Sequence, residues 1–419
     1  MTSFIALALS MLTAATFFEI DLLYFVLYVC AGIYFWCRWH TPRALTRVSA
    51  ERTFNSHAFL GESLQVRVNI ENHSVFGLPW LRVADGLPWE LRDSETLNEI
   101  VALPPRHGLD LSYSIKARRR GYYRVGPLIL ETGDLFGLFP EQRHTAGTDH
   151  ITVYPRLRHI AKLGLPSRLP FGTITSHQRL FSDPSRPAGV RDYRSSDSLR
   201  HINWKASSHV GALKVRNFQP AMSMESAVLL NLNRNEFTTT NWLDGSEWSI
   251  EVAASLIVHL ADRKQAVGLA TNGVDPLRST KSAHFDEKSG RLALAPSGVG
   301  KAPPPFPPKT GRVQLMKLLE VLARIEAGSS SPFHHWAPGA CLHLGWGVSV
   351  FAITPTADER ACSAMHGLVR AGFNPILLIT EPVYFLPVRE RARRLGFRAY
   401  RVGTQPDLDA WNQIGVRVS

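Results

Sequence analysis

The chain divides by pattern into a membrane-embedded helical hairpin, an all-β sandwich and a doubly wound α/β domain, and three observations predict this. Residues 4–37 are almost wholly apolar, interrupted only by Glu19 and Asp21, and Arg38, Arg43, Arg47 and Arg52 follow at once. From about Leu45 to Tyr154 apolar residues recur with period two, the sign of half-buried strands. After Pro220, apolar runs of strand length alternate with stretches of helical spacing, the pattern of a parallel sheet with helices between its strands. The boundaries fall at 1–40 for the hairpin, 45–154 for the sandwich, 155–220 for a basic connector and 221–419 for the α/β domain. With 419 residues and 45% hydrophobic content, the chain is long and apolar enough for more than one core.

The two apolar runs, Phe4–Phe18 and Leu22–Cys37, each fall a little short of the ~20 residues that span a bilayer helically. Extension to Met1 and Trp39 brings both close. Arginines flanking Trp36 and Trp39 fit the cytoplasmic interface, so a tight hairpin with Glu19 and Asp21 at its outer turn leaves everything after it in the cytoplasm. A cleaved signal peptide fits poorly, because the start is not basic and a second apolar run follows. A buried helical hairpin is the other reading.

In the β region Leu64–Ile70, Leu109–Ile115 and Tyr123–Leu130 alternate, divided by turn clusters at Glu71–Ser74 and Thr132–Asp134. Arg118-Arg119-Arg120 reads as solvated charge at a hairpin rather than a binding patch. In the α/β region strands are predicted at Ala227–Leu232, Ala266–Ala270, Val348–Ile353, Pro375–Thr380 and Phe397–Val402. Helices are predicted at Trp248–Arg263, Val313–Ile325, Asp358–Ala371 and Pro387–Leu395. Pro276–Lys309, with the run Pro303–Pro308 broken only by Phe306, reads as a surface loop or spacer.

Composition narrows the function. The net charge is +12, and Pro155–Phe218 alone holds twelve Lys/Arg against three Asp, so most of the excess is local and points to an acidic partner or anionic surface. Cys30, Cys37, Cys341 and Cys362 form no disulfide framework, which suits a reducing compartment. Gly298-Val299-Gly300-Lys301 is not a phosphate loop: position 295 is Ala and Ala302 stands where Ser or Thr is needed. His334-His335 and Cys341-x-His343 match no common zinc spacing. No Ser/His/Asp set can be assigned, so no catalytic residue, enzymatic activity or cofactor is expected.

Within the connector, Val190–Tyr193 reads as a strand, Ser195–Ser198 as a turn whose Ser196 or Asp197 caps a helix over Leu199–Ser207, and Ala212–Phe218 as a second strand after Gly211. The residues Arg191-x-Tyr193, Asp197, Arg200-x-Ile202-x-Trp204-Lys205 and Leu213-x-Val215-x-x-Phe218, preceded by Asp183-Pro184-Ser185-Arg186, resemble the signature of the bacterial family called domain of unknown function 58. The chain departs from it at Ser196, where glycine is usual, and at Ser208-His209, often Ala-Arg. The resemblance implies a membrane-anchored protein of the bacterial inner membrane, often encoded beside MoxR-type AAA+ ATPases, with no established catalysis. Two roles suit the stretch. Arg191, Arg194 and Arg200 pair with Asp192 and Asp197 while Tyr193 and Trp204 pack an interdomain joint, or the set Arg191, Tyr193, Asp197, Arg200, Trp204, Lys205 and Arg216 docks an anionic partner. The favoured expectation is a structural role with a protein-docking surface attached. The weaker alternative is phosphate or nucleic-acid binding at the membrane surface through the basic 155–218 stretch; against nucleic acid, the sequence offers no reading helix or stacking platform.

The order of the α/β elements resembles a von Willebrand factor A-type domain. That resemblance implies a divalent-cation site of the form Asp-x-Ser-x-Ser after the first strand, with a later Thr-Asp. Here those positions read Asn231, Asn233 and Asn235, and the later strand ends in Thr354-Pro355. A hard cation wants carboxylate oxygens, so a degenerate, metal-free crevice is expected.

Overall fold

Asp21–Thr46 is one α-helix of 26 residues, α1, about 39 Å long at 1.5 Å per residue and so long enough to cross a hydrocarbon core. Among the described residues it is the one helix long and apolar enough to do so. The computed structural model describes residues 9–14, 16–17, 21–93, 97–134, 141–144, 147–158, 182–193, 202–220, 225–238, 242–278, 283–285, 292–294, 301–381 and 383–410. Of the first predicted membrane run, residues 9–14 and 16–17 are helical, while Glu19 at the expected turn lies outside the described residues. The second run does not stop at Trp39. It carries Pro42 inside the helix and ends at Thr46, so Leu45, expected to open the β region, is helical. The cause is burial: Thr41, Ala44 and Leu45 are covered, and Ala44, Leu45 and Val48 belong to the core of the β structure that follows. Arg143 completes the helix end, its Nη1 donating to the carbonyls of Leu45 at 2.9 Å and Val48 at 3.2 Å.

Two compact units divide the chain. The first comprises Met1–Arg156, Val274–Ala302 and Leu319–Glu326. After α1, strands β1 (Val48–Thr53), β3 (Ser63–Asn72) and β6 (Gly108–Lys116) form one antiparallel sheet in the order β1-β3-β6. Strands β2 (His57–Phe59), β7 (Gly121–Val125) and β10 (Asp149–Tyr154) form a second, with β2 parallel to β10. The third, in the order β5-β4-β8-β9, uses β4 (Leu78–Asp85), β5 (Asn98–Leu103), β8 (Leu128–Thr132) and β9 (Glu141–His144). The predicted alternation is observed: on β3, Val66, Val68 and Ile70 are buried, and Gln65, Arg67 and Asn69 face out. The single predicted run Tyr123–Leu130 is two strands, β7 and β8, because Gly126-Pro127 interrupts it. Gly126 has φ +103, and a Cβ there would lie 2.9 Å from the Arg52 guanidinium.

That guanidinium is part of a buried polar cluster. Arg52 Nε lies 3.0 Å from Asp85 Oδ2, Arg52 Nη1 lies 3.2 Å from Asp149 Oδ2, and the Tyr113 hydroxyl donates to Asp85. Burial pushes the Asp85 carboxyl up, against the opposing pull of Arg52. Arg120 is also buried, contrary to the expected solvated charge. Its Nη1 donates to the carbonyls of Leu322, Ala323 and Ile325 at 3.1, 3.1 and 2.8 Å. These carbonyls belong to the last turn of a helix and need a donor. The strands β15 (Ala283–Phe285) and β16 (Leu292–Leu294) pair as a short hairpin in this unit.

The second unit comprises Leu157–Gly273, Pro303–Leu318 and Ala327–Ser419. Its main sheet has the order β17-β14-β13-β18-β19-β20. Strands β13 (Glu225–Leu230), β14 (Ala266–Thr271), β18 (Ser349–Thr354), β19 (Asn374–Ile379) and β20 (Arg398–Arg401) are mutually parallel. The sheet is nonetheless mixed. β17 (Phe306–Lys309) joins its edge antiparallel to β14, where a spacer was expected. Proline is tolerated on an edge strand because the missing N–H faces away from the ladder. Gly268 admits the close approach, since a Cβ there would lie 2.6 Å from the Phe306 carbonyl oxygen.

The helices of this unit, after the connector's α2 (Trp204–Val210), are α3 (Trp242–Asp262), the first part of α4 (Arg312–Arg324), whose residues from Leu319 on belong to the first unit, α5 (Phe333–Ala340), α6 (Glu359–Arg370), α7 (Phe385–Arg394) and α8 (Gln405–Ala410). Phe333, Ala337, Met365, Leu368, Val388 and Ala392 from α5–α7 share one cluster with Leu229, Val350, Ala352 and Leu377. The alternate positions Val228, Leu230, Phe351 and Ile353 are buried too, so the central strands are covered on both faces. The predicted strands and the helices α4, α6 and α7 lie within two residues of where the periodicity placed them, whereas α3 begins at Trp242, six residues before its predicted start. Helix α5 lacked a periodic signal and was not predicted; its Pro338 is among the reasons.

Candidate functional site

The signature stretch folds as a two-stranded antiparallel hairpin with a helix packed on it. β11 (Ser182–Asp192) pairs with β12 (Lys214–Pro220) through Asp192↔Lys214, Arg191↔Val215 and Val190↔Arg216. Asn203, not Ser196 or Asp197, caps α2: its Oδ1 accepts from Ala206 N at 3.3 Å, and its own N–H donates to the Lys214 carbonyl at 2.8 Å. Ser207 adds a second tie, its Oγ accepting from Lys214 N at 2.9 Å. Gly211 ends the helix in the left-handed conformation at φ 70°. The expected helix over Leu199–Ser207 is therefore shifted to Trp204–Val210, and Ile202 lies before it, buried and bridged to Val215.

The shift decides where the signature side chains go. With Asn203 and Ser207 facing the strand, residues about 100° further round the helix face away. Trp204 is 69% exposed and Lys205 is exposed. Val210, Leu213 and, on β11, Val190 are exposed as well. Arg191 is exposed, Tyr193 is half-buried, and the Tyr193 N–H donates to the Leu213 carbonyl at 3.0 Å. The carboxylate of Asp192 is taken by Lys214, Nζ to Oδ1 at 2.5 Å, and this contact holds the Asp192 carboxyl below the usual carboxylate range. Arg194, Asp197 and Arg200 lie outside the described residues. Arg216 has a backbone position in the ladder, and its side chain is not described.

At the carboxyl end of the main sheet the degenerate cation positions do converge. Asn231 is fully buried after β13; its Nδ2 donates to Glu236 Oε2 at 2.6 Å and to Thr354 Oγ1 at 3.0 Å. Its Oδ1 accepts from Asn233 N at 3.2 Å and Asn272 Nδ2 at 2.8 Å. The other oxygen of Glu236 accepts from Asn233 Nδ2 at 3.3 Å and Phe333 N at 2.8 Å. Thr354 Oγ1 donates onward to the Thr356 carbonyl at 2.8 Å. Asn235 is exposed and contributes its backbone N–H to Asn233 Oδ1. These residues do not fit a hard divalent cation: both oxygens of the sole carboxylate in the network, Glu236, already accept hydrogen bonds, and amide N–H groups point where ligand oxygens are needed. The arrangement is a closed hydrogen-bond network that rigidifies three strand ends.

The sequence pattern has no place for Glu236 or Asn272, although Asn-Gly directly after strand β14 is a legible turn signal. Beside this network Arg234 lies over the Trp242 ring at 4.3 Å. His334 and Cys341 line one surface cleft with Arg360, Leu342 and Phe373. Among the described residues no three His, Cys, Asp or Glu side chains come together as metal ligands.

Residues 189–294 match the family described as protein of unknown function DUF58. Over 243 residues the chain is 24% identical to the uncharacterized protein YeaD of Bacillus subtilis (strain 168), covering 56% of this chain and 59% of that protein. The chain thus spans less than two thirds of that relative's length. Among solved structures, the CARDB domain of a Pyrococcus furiosus protein, crystallised with di-metal ions, is 15% identical over 25% of this chain and 91% of that one, with a TM-score of 0.20. Native alpha-2-macroglobulin of Escherichia coli, from domain MG7 to the C-terminus, is 19% identical over 26% of this chain and 17% of that one, at a TM-score of 0.23. At these scores neither carries a conclusion.

Proposed function

We propose that this chain is a non-catalytic adaptor, held in a bacterial inner membrane by α1, that docks a protein partner in the cytoplasm through the face of its β11–α2–β12 hairpin. The observation that carries the reading is exposure: Trp204 is 69% exposed, Val210 and Leu213 are exposed too, and Arg191 and Lys205 supply charge. Aromatic and arginine side chains on an exposed apolar patch are the composition of an interface centre. The exposure of Trp204 favours docking as its role.

The second unit is read as a von Willebrand factor A-type domain. In support, β13 sits inside the parallel strands, in the order β14-β13-β18-β19-β20, and its carboxyl end carries the Asn231 network. The resemblance suggests a MoxR-type AAA+ ATPase as partner. The nucleic-acid alternative is weakened by the Asp192–Lys214 pair, which neutralises one of the basic side chains of the hairpin.

The experiment is affinity capture of the full chain from solubilised membranes, wild type against Trp204→Ala and Lys205→Ala, with captured proteins identified by mass spectrometry. A AAA+ ATPase retained by wild type and lost from Trp204→Ala is the expected result. Equal capture by both refutes docking at this face.

A further inference from the structure

We infer that the loop between β3 and β4, His73–Gly77, is a second membrane contact, seated among lipid headgroups beside α1, with bilayer phospholipid filling the cleft between loop and helix. The inference rests on the reading of α1 as a membrane span and adds a contact made by the β structure.

The loop tip is apolar, outward-facing and held in place. Val75 is 51% exposed and Phe76 41%. Asn72, itself buried, organises the tip: its Nδ2 donates to the carbonyls of Phe76 at 3.1 Å and Pro104 at 3.0 Å, and its Oδ1 accepts from Ser74 N at 2.9 Å. Ser74 Oγ accepts from Phe76 N at 3.2 Å. Two large apolar side chains on a pinned turn gain nothing by facing water, so they call for an apolar neighbour.

The helix supplies the depth. Phe76 packs edge-on against Trp36 and His40, with ring centroids 5.5 and 5.3 Å apart. Trp36 stacks on His40 at 5.8 Å, and Arg43 lies over the Trp39 ring at 5.2 Å while donating to the Trp39 carbonyl. Tryptophans followed by arginines mark the level where a span leaves the hydrocarbon for the headgroups. Because Phe76 touches both Trp36 and His40, the tip shares that level. The cleft between the two, about 560 Å³, is lined mostly by apolar groups, among them Ile33, Trp36, Phe76 and Leu78, with His40, Thr41, Thr132 and Asp134 its polar exceptions, and begins one helical turn on the bilayer side of Trp36. An apolar cleft that opens at this depth meets lipid before it meets anything else. The exposed Arg43, Arg47 and Arg106 stand where phosphate groups would lie.

The test is photocrosslinking of the full-length protein in phosphatidylcholine vesicles, with benzoylphenylalanine placed in turn at Phe25, Val75 and Trp89. Phe25 lies on the outer face of α1 and reports the span itself. Trp89 is equally exposed but follows the far end of β4, roughly 25 Å from Leu78 at about 3.3 Å per residue. Lipid adducts at Phe25 and Val75 with none at Trp89 are expected. Adducts at Phe25 alone overturn this inference and leave the span intact. Equal adducts at Val75 and Trp89 also overturn it, because the contact would not belong to this end. No adduct at Phe25 overturns the membrane reading on which the inference stands.

Discussion

Replacing Asn231 by Asp tests whether the sheet end is built around amides. The substitution keeps the shape and changes two donors into acceptors. Asn231 Nδ2 now donates to Glu236 Oε2 at 2.6 Å and to Thr354 Oγ1 at 3.0 Å, so a carboxylate there faces another carboxylate at hydrogen-bond distance with no water to screen it. Losing a hydrogen bond to a charged group costs about 1.5–3 kcal/mol and a neutral one about 1 kcal/mol. Like-charge contact adds more until one carboxyl takes up a proton. A loss of about 3–5 kcal/mol is expected, which at ~2–4 °C per kcal/mol for a domain of this size lowers the transition by roughly 6–20 °C. Scanning calorimetry of the full chain in detergent, with and without millimolar Mg²⁺, reads this directly. Wild type should melt at one temperature in both buffers, whereas N231D should recover part of its loss when Mg²⁺ sits between the two carboxylates. An N231D transition within a degree or two of wild type, or a wild type stabilised by Mg²⁺, refutes the closed-network account.

Three further outcomes follow from the same geometry. Trp204→Ala should leave the thermal transition unchanged, because an exposed side chain typically alters stability by less than about 0.5 kcal/mol; a drop of many degrees in a melt would return it to a packing role. Arg120→Met should cost about 3–5 kcal/mol in denaturant titrations, since three helix-end carbonyls lose their charged donor in a buried site; a neutral result would mean that water replaces it. Burial pushes the Cys341 thiol from 9.0 up to about 12. Its stabilising contribution is whole below pH 9.0 and lost as pH rises towards about 12, and iodoacetamide at pH 8 should label it only after unfolding, as read by mass spectrometry.

What the sequence made legible was periodic. Val66, Val68 and Ile70 alternate, and Ala227–Leu230 is apolar throughout; each pattern needs only its own segment to be read. What it hid depended on partners far along the chain. Ser196, Asp197 and Asn203 are all good capping residues, and Asn203 serves because its N–H also finds the Lys214 carbonyl. Arg120 looks like one of three surface arginines until its acceptors, 202 to 205 residues away, are known. The prolines of Phe306–Lys309 argue against a strand locally, and only the bare backbone of Gly268 on the neighbouring strand makes one possible. At the sheet end, the motif comparison found the substituted positions Asn231, Asn233 and Thr354, but the pattern contained no place for Glu236 or Asn272 as their acceptor and donor.

The continuity of α1 with the β core has a mechanical consequence. Because Ala44, Leu45 and Val48 are core residues and Arg143 holds the helix end, α1 and the sheets of the first unit are joined without a break. Orientation is then set by helical phase. Each residue inserted between Trp39 and Thr41 would turn those sheets by about 100° about the helix axis and lift them by about 1.5 Å. One inserted residue would carry the Val75–Phe76 tip away from the tryptophan face of α1, whereas four would bring it nearly back, one turn further along the helix axis.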